Sequence, residues 1–164
     1  MTGPMRVGLE SYTVEIRLDD PRRAEVACLL REHVEDMAKY SQPDCVHTLD
    51  SEALCAANVS FWTAWEQSEL LGCGALLALS SRHGEIKSMR TSGAHLRKGV
   101  ATKLLEHIIL EASRRSYARL SLETGSMAAF APACKLYERF GFTYCDPFAS
   151  YEPHRDSVFM TLIL

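Results

Sequence analysis

A short basic segment directly ahead of an amphipathic helix is the feature of this sequence that most constrains the fold. Residues 95–102 read HLRKGVAT. The residues after it are apolar at helical spacing, at Leu104, Leu105, Ile108, Ile109 and Ala112. This spacing predicts a helix over residues 99–115. The start of a helix carries unpaired N–H groups and a partial positive charge. Arg97 and Lys98 add to that charge, so the sequence predicts an anion-binding helix N-terminus.

Segments rich in β-formers and two further helical patterns surround this helix. The predicted strands cover residues 12–18, 59–66, 69–80, 85–91, 118–124, 142–148 and 157–164. Further helices are predicted from Asp19-Asp20-Pro21 onward, near 51–57 and over 131–140. The first of these has its apolar face at Ala24, Ala27, Leu30, Val34 and Met37. This order predicts a single α/β (α+β) domain over residues 1–164, built on a mixed sheet.

Charge and hydropathy exclude several classes of protein. The formal net charge of the 164 residues is -3, which argues against a general nucleic-acid binder. No apolar segment approaches the roughly 20 residues of a membrane span. The N-terminal residues lack the apolar centre of a secretory signal. We therefore expect a cytoplasmic protein that binds neither nucleic acid nor a membrane.

The six cysteines follow no metal-binding spacing. They stand at positions 28, 45, 55, 73, 134 and 145, with no C-x-x-C pair, and most lie in apolar segments. This usage predicts reduced, buried thiols and no metal ion.

Two motifs and the order of elements resemble the GNAT N-acetyltransferase superfamily. The first motif, Leu96-Arg97-Lys98-Gly99-Val100-Ala101, matches the family's Gln/Arg-x-x-Gly-x-Gly/Ala turn except at Leu96. The second runs from Leu136 to Phe142, LYERFGF, and matches a Leu-Tyr pair followed by Gly-Phe. The sequence is similar to a bacterial group of small acetyltransferases, some of which carry an indole-acetate acetyltransferase label. The resemblance implies a mostly antiparallel sheet of about seven strands with helices on both faces.

The resemblance also implies acetyl-CoA as the cosubstrate and a set of residues that bind it. In the family, the turn wraps the pyrophosphate with its backbone N–H groups, and a neighbouring strand binds the pantetheine arm. The corresponding residues here are Met89, Arg90, Thr91, Leu96, Arg97, Lys98, Gly99, Val100, Ala101 and Thr102. Many members carry an asparagine at the position of Phe130. Ser126 is the expected substitute for that asparagine, with an ordinary turn residue as the alternative.

Two residues are candidates for the proton transfers of acetylation. The resemblance makes Glu85, at the start of the strand 85–91, the candidate base. It makes Tyr137 the candidate acid, because a tyrosine hydroxyl stays protonated at neutral pH. The alternatives are a surface Glu85 paired with Lys87, Glu123 as the base, and Tyr137 as a core residue. Alternation along this strand places Glu85, Lys87, Met89 and Thr91 on one face.

The acceptor and its binding site are less defined by the sequence. The resemblance implies a primary amine of a small molecule or peptide, and a homodimer is common in the family. The candidate lining residues are Tyr40, His47, Phe61, Trp62, Trp65, Phe148, Tyr151 and His154, with Arg155 as a contact for an anionic group. Core packing is the alternative for these aromatic residues. An acyl-CoA sensor without catalysis and a toxin that acetylates aminoacyl-tRNA are the competing functions, and the net charge argues against the toxin.

Overall fold

The predicted order of strands and helices is present in the structure. The structure is a computed structural model that describes residues 13–40 and 49–164. Its strands are β1 (Glu15–Leu18), β2 (Val59–Glu66), β3 (Glu69–Ala78), β4 (His83–Thr91), β5 (Arg119–Gly125), β6 (Thr143–Cys145) and β7 (Ser157–Ile163). Its α-helices are α1 (Ala24–Tyr40), α2 (Val100–Arg114) and α3 (Ala131–Arg139). Single 3-10 turns lie at Ala53–Cys55, Gly93–His95 and Ala128–Phe130. His47 and most of the predicted loop 41–50 fall outside the described residues.

One mixed sheet organises the described chain. The strand order is β1-β2-β3-β4-β5-β7-β6. The pair β4–β5 is parallel, and the other neighbouring pairs are antiparallel. Helix α2 follows β4 and returns the chain to the start of β5, as a parallel connection requires. The predicted fold class, a mostly antiparallel seven-stranded sheet with helices, is confirmed.

Local sequence signals explain where several elements begin and end. The Asp20 carboxylate accepts a hydrogen bond from the Arg22 N–H at 2.9 Å, ahead of the first turn of α1. Pro132 lies in the first turn of α3, where its missing N–H costs no helical hydrogen bond. Gly141, with φ of 89°, ends that helix in the left-handed conformation that favours glycine.

Each face of the sheet buries its own apolar cluster. Helices α2 and α3 cover one face, over Trp62, Leu76, Ile86, Leu104, Leu105, Ile108, Leu120 and Met160. Helix α1 covers the other face, over Phe61, Trp65, Cys73 and Ala75. The buried residues of α1 are Val26, Leu29 and Leu30. The predicted apolar face of α1 is confirmed at Leu30 and wrong at Ala24 and Val34, which are exposed to solvent.

Three aromatic residues expected at the acceptor site belong to these clusters. Phe61, Trp62 and Trp65 are each 3% exposed. The expectation for them is wrong, because alternation along β2 sends them into the cores on both faces of the sheet.

The prediction that the cysteines are buried holds for some of them and not for others. Cys73 is buried, whereas Cys28 and Cys55 are exposed.

A β-bulge at Ser88 interrupts β4. One residue of β3, Gly74, stands opposite two residues of β4, Ser88 and Met89. Ser88 has φ of 52°, in the left-handed region. Within the described chain its buried hydroxyl has no hydrogen-bond partner. Such a bulge turns the following side chains to the other face of the sheet.

The predicted alternation along β4 is wrong beyond this bulge. Lys87 stands opposite Ala75, a residue of the cluster under α1. Met89 packs instead with Ile86 in the cluster under α2. Arg90 pairs with Asp36 of α1 at 2.5 Å. Lys87 and Arg90 therefore face α1, although three positions separate them.

The bulge coincides with a separation of the two central parallel strands. Strands β4 and β5 pair from His83–Arg119 to Ile86–Leu122. Beyond Ile86, β4 continues to Thr91 alongside β3 alone, within the part of the chain that is described. The edge of β4 over residues 87–91 is therefore open to a further extended segment.

None of the described helices combines the length and the apolar character that a membrane crossing requires.

Replacing Gly72 by alanine tests how tightly the end of β4 is packed. An alanine Cβ at position 72 would lie 2.6 Å from the carbonyl oxygen of Arg90 and 3.0 Å from Cγ1 of Val100. We expect Gly72→Ala to lower the free energy of unfolding by about 2 kcal/mol, because backbone and helix must move apart. The measurement is the midpoint of urea unfolding.

Gly93→Ala is the matched control for this substitution. A Cβ at position 93 meets no described atom within 4 Å. The free energy of unfolding should change by less than about 0.5 kcal/mol. Equal midpoints for the two variants would contradict the close packing at Gly72.

Candidate functional site

The backbone ahead of α2 presents a row of N–H groups. Arg97 and Gly99 have φ values of 62° and 79°. The left-handed conformation costs a non-glycine residue about 1 kcal/mol and is typical of functional turns. The first hydrogen bond between α2 and the turn joins the Lys103 N–H to the Gly99 carbonyl at 3.1 Å. The N–H groups of residues 97–102 have no acceptor in the described chain. Such converging N–H groups bind anions.

This row of N–H groups opens into a cleft of about 520 Å³. Its walls come from α1, the end of β4, the turn with the start of α2, and the segment from Ala129 to Tyr137. The lining is mainly apolar and includes Met37, Met89, Leu96, Val100, Phe130 and Leu136. The cleft therefore combines a row of unpaired N–H groups with a mainly apolar wall in the described chain.

Most of the residues predicted to bind the cosubstrate line this cleft. They are Met89, Arg90, Thr91, Leu96, Arg97, Gly99, Val100, Ala101 and Thr102. Lys98 is not among the lining residues, because its ammonium lies 3.3 Å from Nδ1 of His95.

Ser126 lies away from this cleft. Its hydroxyl donates to the carbonyl oxygen of Arg155 at 2.7 Å, and its N–H donates to that of Asp156 at 3.0 Å. Ser126 lines a separate depression between the end of β5 and α3. In this structure it ties β5 to the loop ahead of β7. The asparagine position that it was expected to replace is filled by Phe130.

Phe130 forms part of the cleft wall through a close contact with Gly125. A Cβ at Gly125 would lie 2.1 Å from the Phe130 ring, so the ring rests on the glycine backbone. The Phe130 ring also meets Tyr40 edge-to-face, with centroids 6.1 Å apart. These contacts give the end of α1 and the start of α3 a common apolar surface.

A smaller cavity of about 120 Å³ extends the cleft between the separated strands. It shares His33, Met37, Met89, Phe130, Ala133 and Tyr137 with the larger cleft. Glu85 of β4 and Glu123 of β5 line its inner end. Glu123 accepts a hydrogen bond from the Ser157 hydroxyl at 2.8 Å. Two carboxylates therefore line a cavity that shares six wall residues with the cleft beside the turn.

Tyr137 stands where the two spaces meet. Its side chain is 6% exposed and packs edge-to-face on Phe142 at 5.6 Å. Its hydroxyl has no hydrogen-bond partner among residues 13–40 and 49–164. Burial raises the pKa of Tyr137, so the hydroxyl is protonated at neutral pH. Tyr137 therefore presents a protonated hydroxyl at the junction, and it is also a core residue, as the alternative had it.

Glu85 is buried and paired. Its Oε1 accepts hydrogen bonds from the Tyr151 hydroxyl at 2.6 Å and from the Lys87 ammonium at 3.0 Å. The Lys87 ammonium also donates to the Tyr151 oxygen at 2.8 Å. The side chains of Lys87 and Glu85 are 8% and 4% exposed. The sequence alternative anticipated the pairing with Lys87 but placed it on the surface.

Helix α1 contributes cleft residues that the sequence analysis did not select. His33, Asp36, Met37 and Tyr40 follow the spacing i, i+3, i+4, i+7 and form one face of the helix. Burial, aided by Arg90, lowers the pKa of His33 to about 4. The imidazole is therefore neutral at pH 7 and adds no positive charge to the cleft. This face mixes polar and apolar residues, so apolar periodicity in the sequence does not indicate it.

Comparison with known proteins assigns the chain to a family. The acetyltransferase (GNAT) family model matches residues 26–142. The uncharacterized N-acetyltransferase YsnE of Bacillus subtilis (strain 168) is 57% identical over 148 residues, which are 90% of this chain and 98% of that protein. The IAA acetyltransferase of Azospirillum brasilense is 30% identical over 148 residues, 90% of this chain and 95% of that one.

A solved structure agrees with this assignment at the level of the fold. The GNAT family acetyltransferase from Elizabethkingia anophelis, crystallised with acetyl-CoA bound, has a TM-score of 0.66 at 20% identity. The match covers 92% of this chain and 98% of that one. Family model, relatives and fold agree, and the chain belongs to the GNAT family of acetyltransferases.

Proposed function

We propose that the enzyme transfers the acetyl group of acetyl-CoA directly to a primary amine of a small molecule or peptide. The observation that carries this proposal is that the cleft and the smaller cavity adjoin each other at Tyr137. The N–H groups of the turn lie in the cleft, Glu85 lines the smaller cavity, and Tyr137 lines both. An arrangement of this kind joins an anion site, a proton donor and a proton acceptor in the order that acetyl transfer from a CoA thioester needs.

The cleft fits the parts of acetyl-CoA. The N–H groups of residues 97–102 would hold the diphosphate, and Arg97 would add positive charge. The open edge of β4 over Met89–Thr91 would bind the pantetheine arm as an added strand. The apolar walls at Leu96, Val100 and Leu136 would cover its methylene groups. The related fold of the Elizabethkingia enzyme holds acetyl-CoA, which supports this arrangement.

Two side chains would move the protons of the reaction. Acetyl-CoA supplies the acetyl group as a thioester, whose carbonyl carbon takes the amine nitrogen as its C–S bond breaks. Glu85 accepts the proton that the amine nitrogen loses. Tyr137 donates its hydroxyl proton to the departing sulfur. Glu123, which lines the same cavity, is the alternative acceptor of the amine proton.

The charges of the inner cavity favour an amine acceptor. Glu85 and Glu123 contribute two carboxylates, and Lys87 contributes one ammonium. His33 is neutral at pH 7 because burial depresses its pKa. The cavity therefore carries a net negative charge that attracts an ammonium group. The apolar wall of Met37, Tyr40 and Phe130 suits an acceptor with an apolar body.

A negative charge at the start of α2 tests the cosubstrate site. Ala101→Glu places a carboxylate among the N–H groups that would hold the diphosphate, so it should raise the Kd for acetyl-CoA at least about tenfold. Isothermal titration calorimetry measures that constant. Leu110→Glu is the control, because Leu110 is an exposed residue of the same helix outside the cleft. Equal constants for the two variants would contradict the proposed site.

Replacing Tyr137 by phenylalanine tests the reaction. We expect kcat to fall about 100-fold at an unchanged Kd for acetyl-CoA, because the departing sulfur loses its proton donor. CoA release is followed by chromatography, since thiol reagents would also report the protein's own cysteines. The acceptors are amino acids, polyamines, aminoglycosides, aryl amines, 2-phenylethylamine and peptide N-termini.

Tyr117 provides the control for Tyr137→Phe. Tyr117→Phe removes a hydroxyl that does not line the cleft, and it should keep kcat within about twofold. Unchanged kcat in Tyr137→Phe would remove that residue from the mechanism. Tight binding of acetyl-CoA without turnover on any amine would favour the acyl-CoA sensor.

A further inference from the structure

The contacts of Glu85 are distributed unevenly over its two oxygens. Both the Tyr151 hydroxyl and the Lys87 ammonium reach Oε1, at 2.6 and 3.0 Å. Oε2 receives no hydrogen bond within the described residues. Glu85 lines the inner cavity, where an acceptor amine would lie under the proposed function. The carboxylate is therefore fixed through one oxygen, and the other is available to a ligand.

The residues that fix Oε1 are themselves held in place. The Tyr151 ring packs on Phe148 and Phe159, with centroids 5.2 and 5.5 Å away. The Lys87 ammonium lies 5.5 Å from the centre of the same ring. Burial and the hydrogen bond to Glu85 raise the pKa of Tyr151, so its hydroxyl keeps the proton that it donates. The arrangement is a closed ring of three hydrogen bonds, in which the side chains of Glu85 and Lys87 are buried.

Lys87 balances part of the negative charge of the small cavity. Glu123 lines the same small cavity as Glu85, so the cavity holds two carboxylates. Like charges in one cavity repel each other. The ammonium of Lys87 offsets one of the two charges.

We propose that Lys87 and Tyr151 are positioning residues, which hold Glu85 through Oε1 and leave Oε2 to accept the proton of the acceptor amine. This inference rests on the proposed function, since it gives Glu85 its task. It assigns the loop between β6 and β7 a part in catalysis, because Tyr151 belongs to that loop. Ser126 secures the same loop through its hydrogen bonds to Arg155 and Asp156.

Substitutions that remove one contact at a time test the inference. Tyr151→Phe keeps the ring stack and removes the hydroxyl. We expect kcat to fall about tenfold, the effect of one hydrogen bond to a charged group, at an unchanged KM for acetyl-CoA. Lys87→Met should lower kcat at least as far, and Lys87→Arg should restore part of it. The acceptor is 2-phenylethylamine, or the best amine of the panel.

A double-mutant cycle shows whether these residues act through Glu85. Glu85→Gln alone should lower kcat about 100-fold. In the Glu85→Gln background, Tyr151→Phe should change kcat by less than about twofold, because the group that it positions no longer accepts a proton. Tyr144→Phe is the matched control, since that exposed tyrosine donates to Glu138 at 2.9 Å outside the cleft. It should leave kcat within about twofold.

The outcomes separate the two proposals. No turnover of the wild-type enzyme with any amine of the panel would overturn the proposed function and this inference with it. Full activity of Glu85→Gln would overturn this inference alone, because Glu123 would then be the acceptor of the amine proton. Loss of activity in Glu85→Gln but not in Tyr151→Phe and Lys87→Met would overturn the positioning role alone. Equal losses from Tyr151→Phe in the wild-type and Glu85→Gln backgrounds would also overturn it, because the tyrosine would then act independently of Glu85. Thermal unfolding of each variant identifies losses that arise from misfolding.

Discussion

The separation of β4 from β5 is the constraint on which the rest of the site depends. The two parallel strands pair as far as Ile86 and Leu122, and a bulge at Ser88 then turns the end of β4. The bulge uses a left-handed serine whose hydroxyl is buried without a partner in the described chain. Strain of this kind persists where the surrounding structure enforces it. Here the separation opens both the edge of β4 and the cavity between Glu85 and Glu123.

The bulge also determines on which face of the sheet the charged Arg90 side chain lies. Because it reverses the facing of later residues, Arg90 turns toward α1 and pairs with Asp36. Its Nε remains buried and unpartnered among the described residues. The nearby cation helps to keep His33 neutral, since like charges disfavour protonation. The cleft wall between the turn and the two carboxylates therefore combines apolar residues, the neutral His33 and the paired charges of Arg90 and Asp36.

The sequence predicted the fold more fully than the contacts within the candidate site. The helix after Gly99, the turn before it and the order of strands follow from local periodicity and from two family motifs, and all are present. The sequence could not predict which face of the sheet Met89 and Arg90 occupy. A rule of strict alternation along the strand assumes that no bulge interrupts it. The contact of Tyr151 with Glu85 joins positions 66 residues apart, and it depends on how a loop folds over the sheet. Ser126 was expected at the cleft as a substitute for the asparagine of the family. Its hydroxyl instead donates a hydrogen bond to the Arg155 carbonyl oxygen, in the loop ahead of β7.

Under the proposed function, the N–H groups of residues 97–102 bind the phosphates of CoA at one end of the cleft. Titration of the ¹⁵N-labelled enzyme with CoA, followed by amide NMR, tests it most directly. We expect the largest downfield shifts on residues 97–102, because their N–H groups gain acceptors, and smaller changes along Met89–Thr91. Saturable binding that leaves the signals of residues 97–102 unchanged would contradict it.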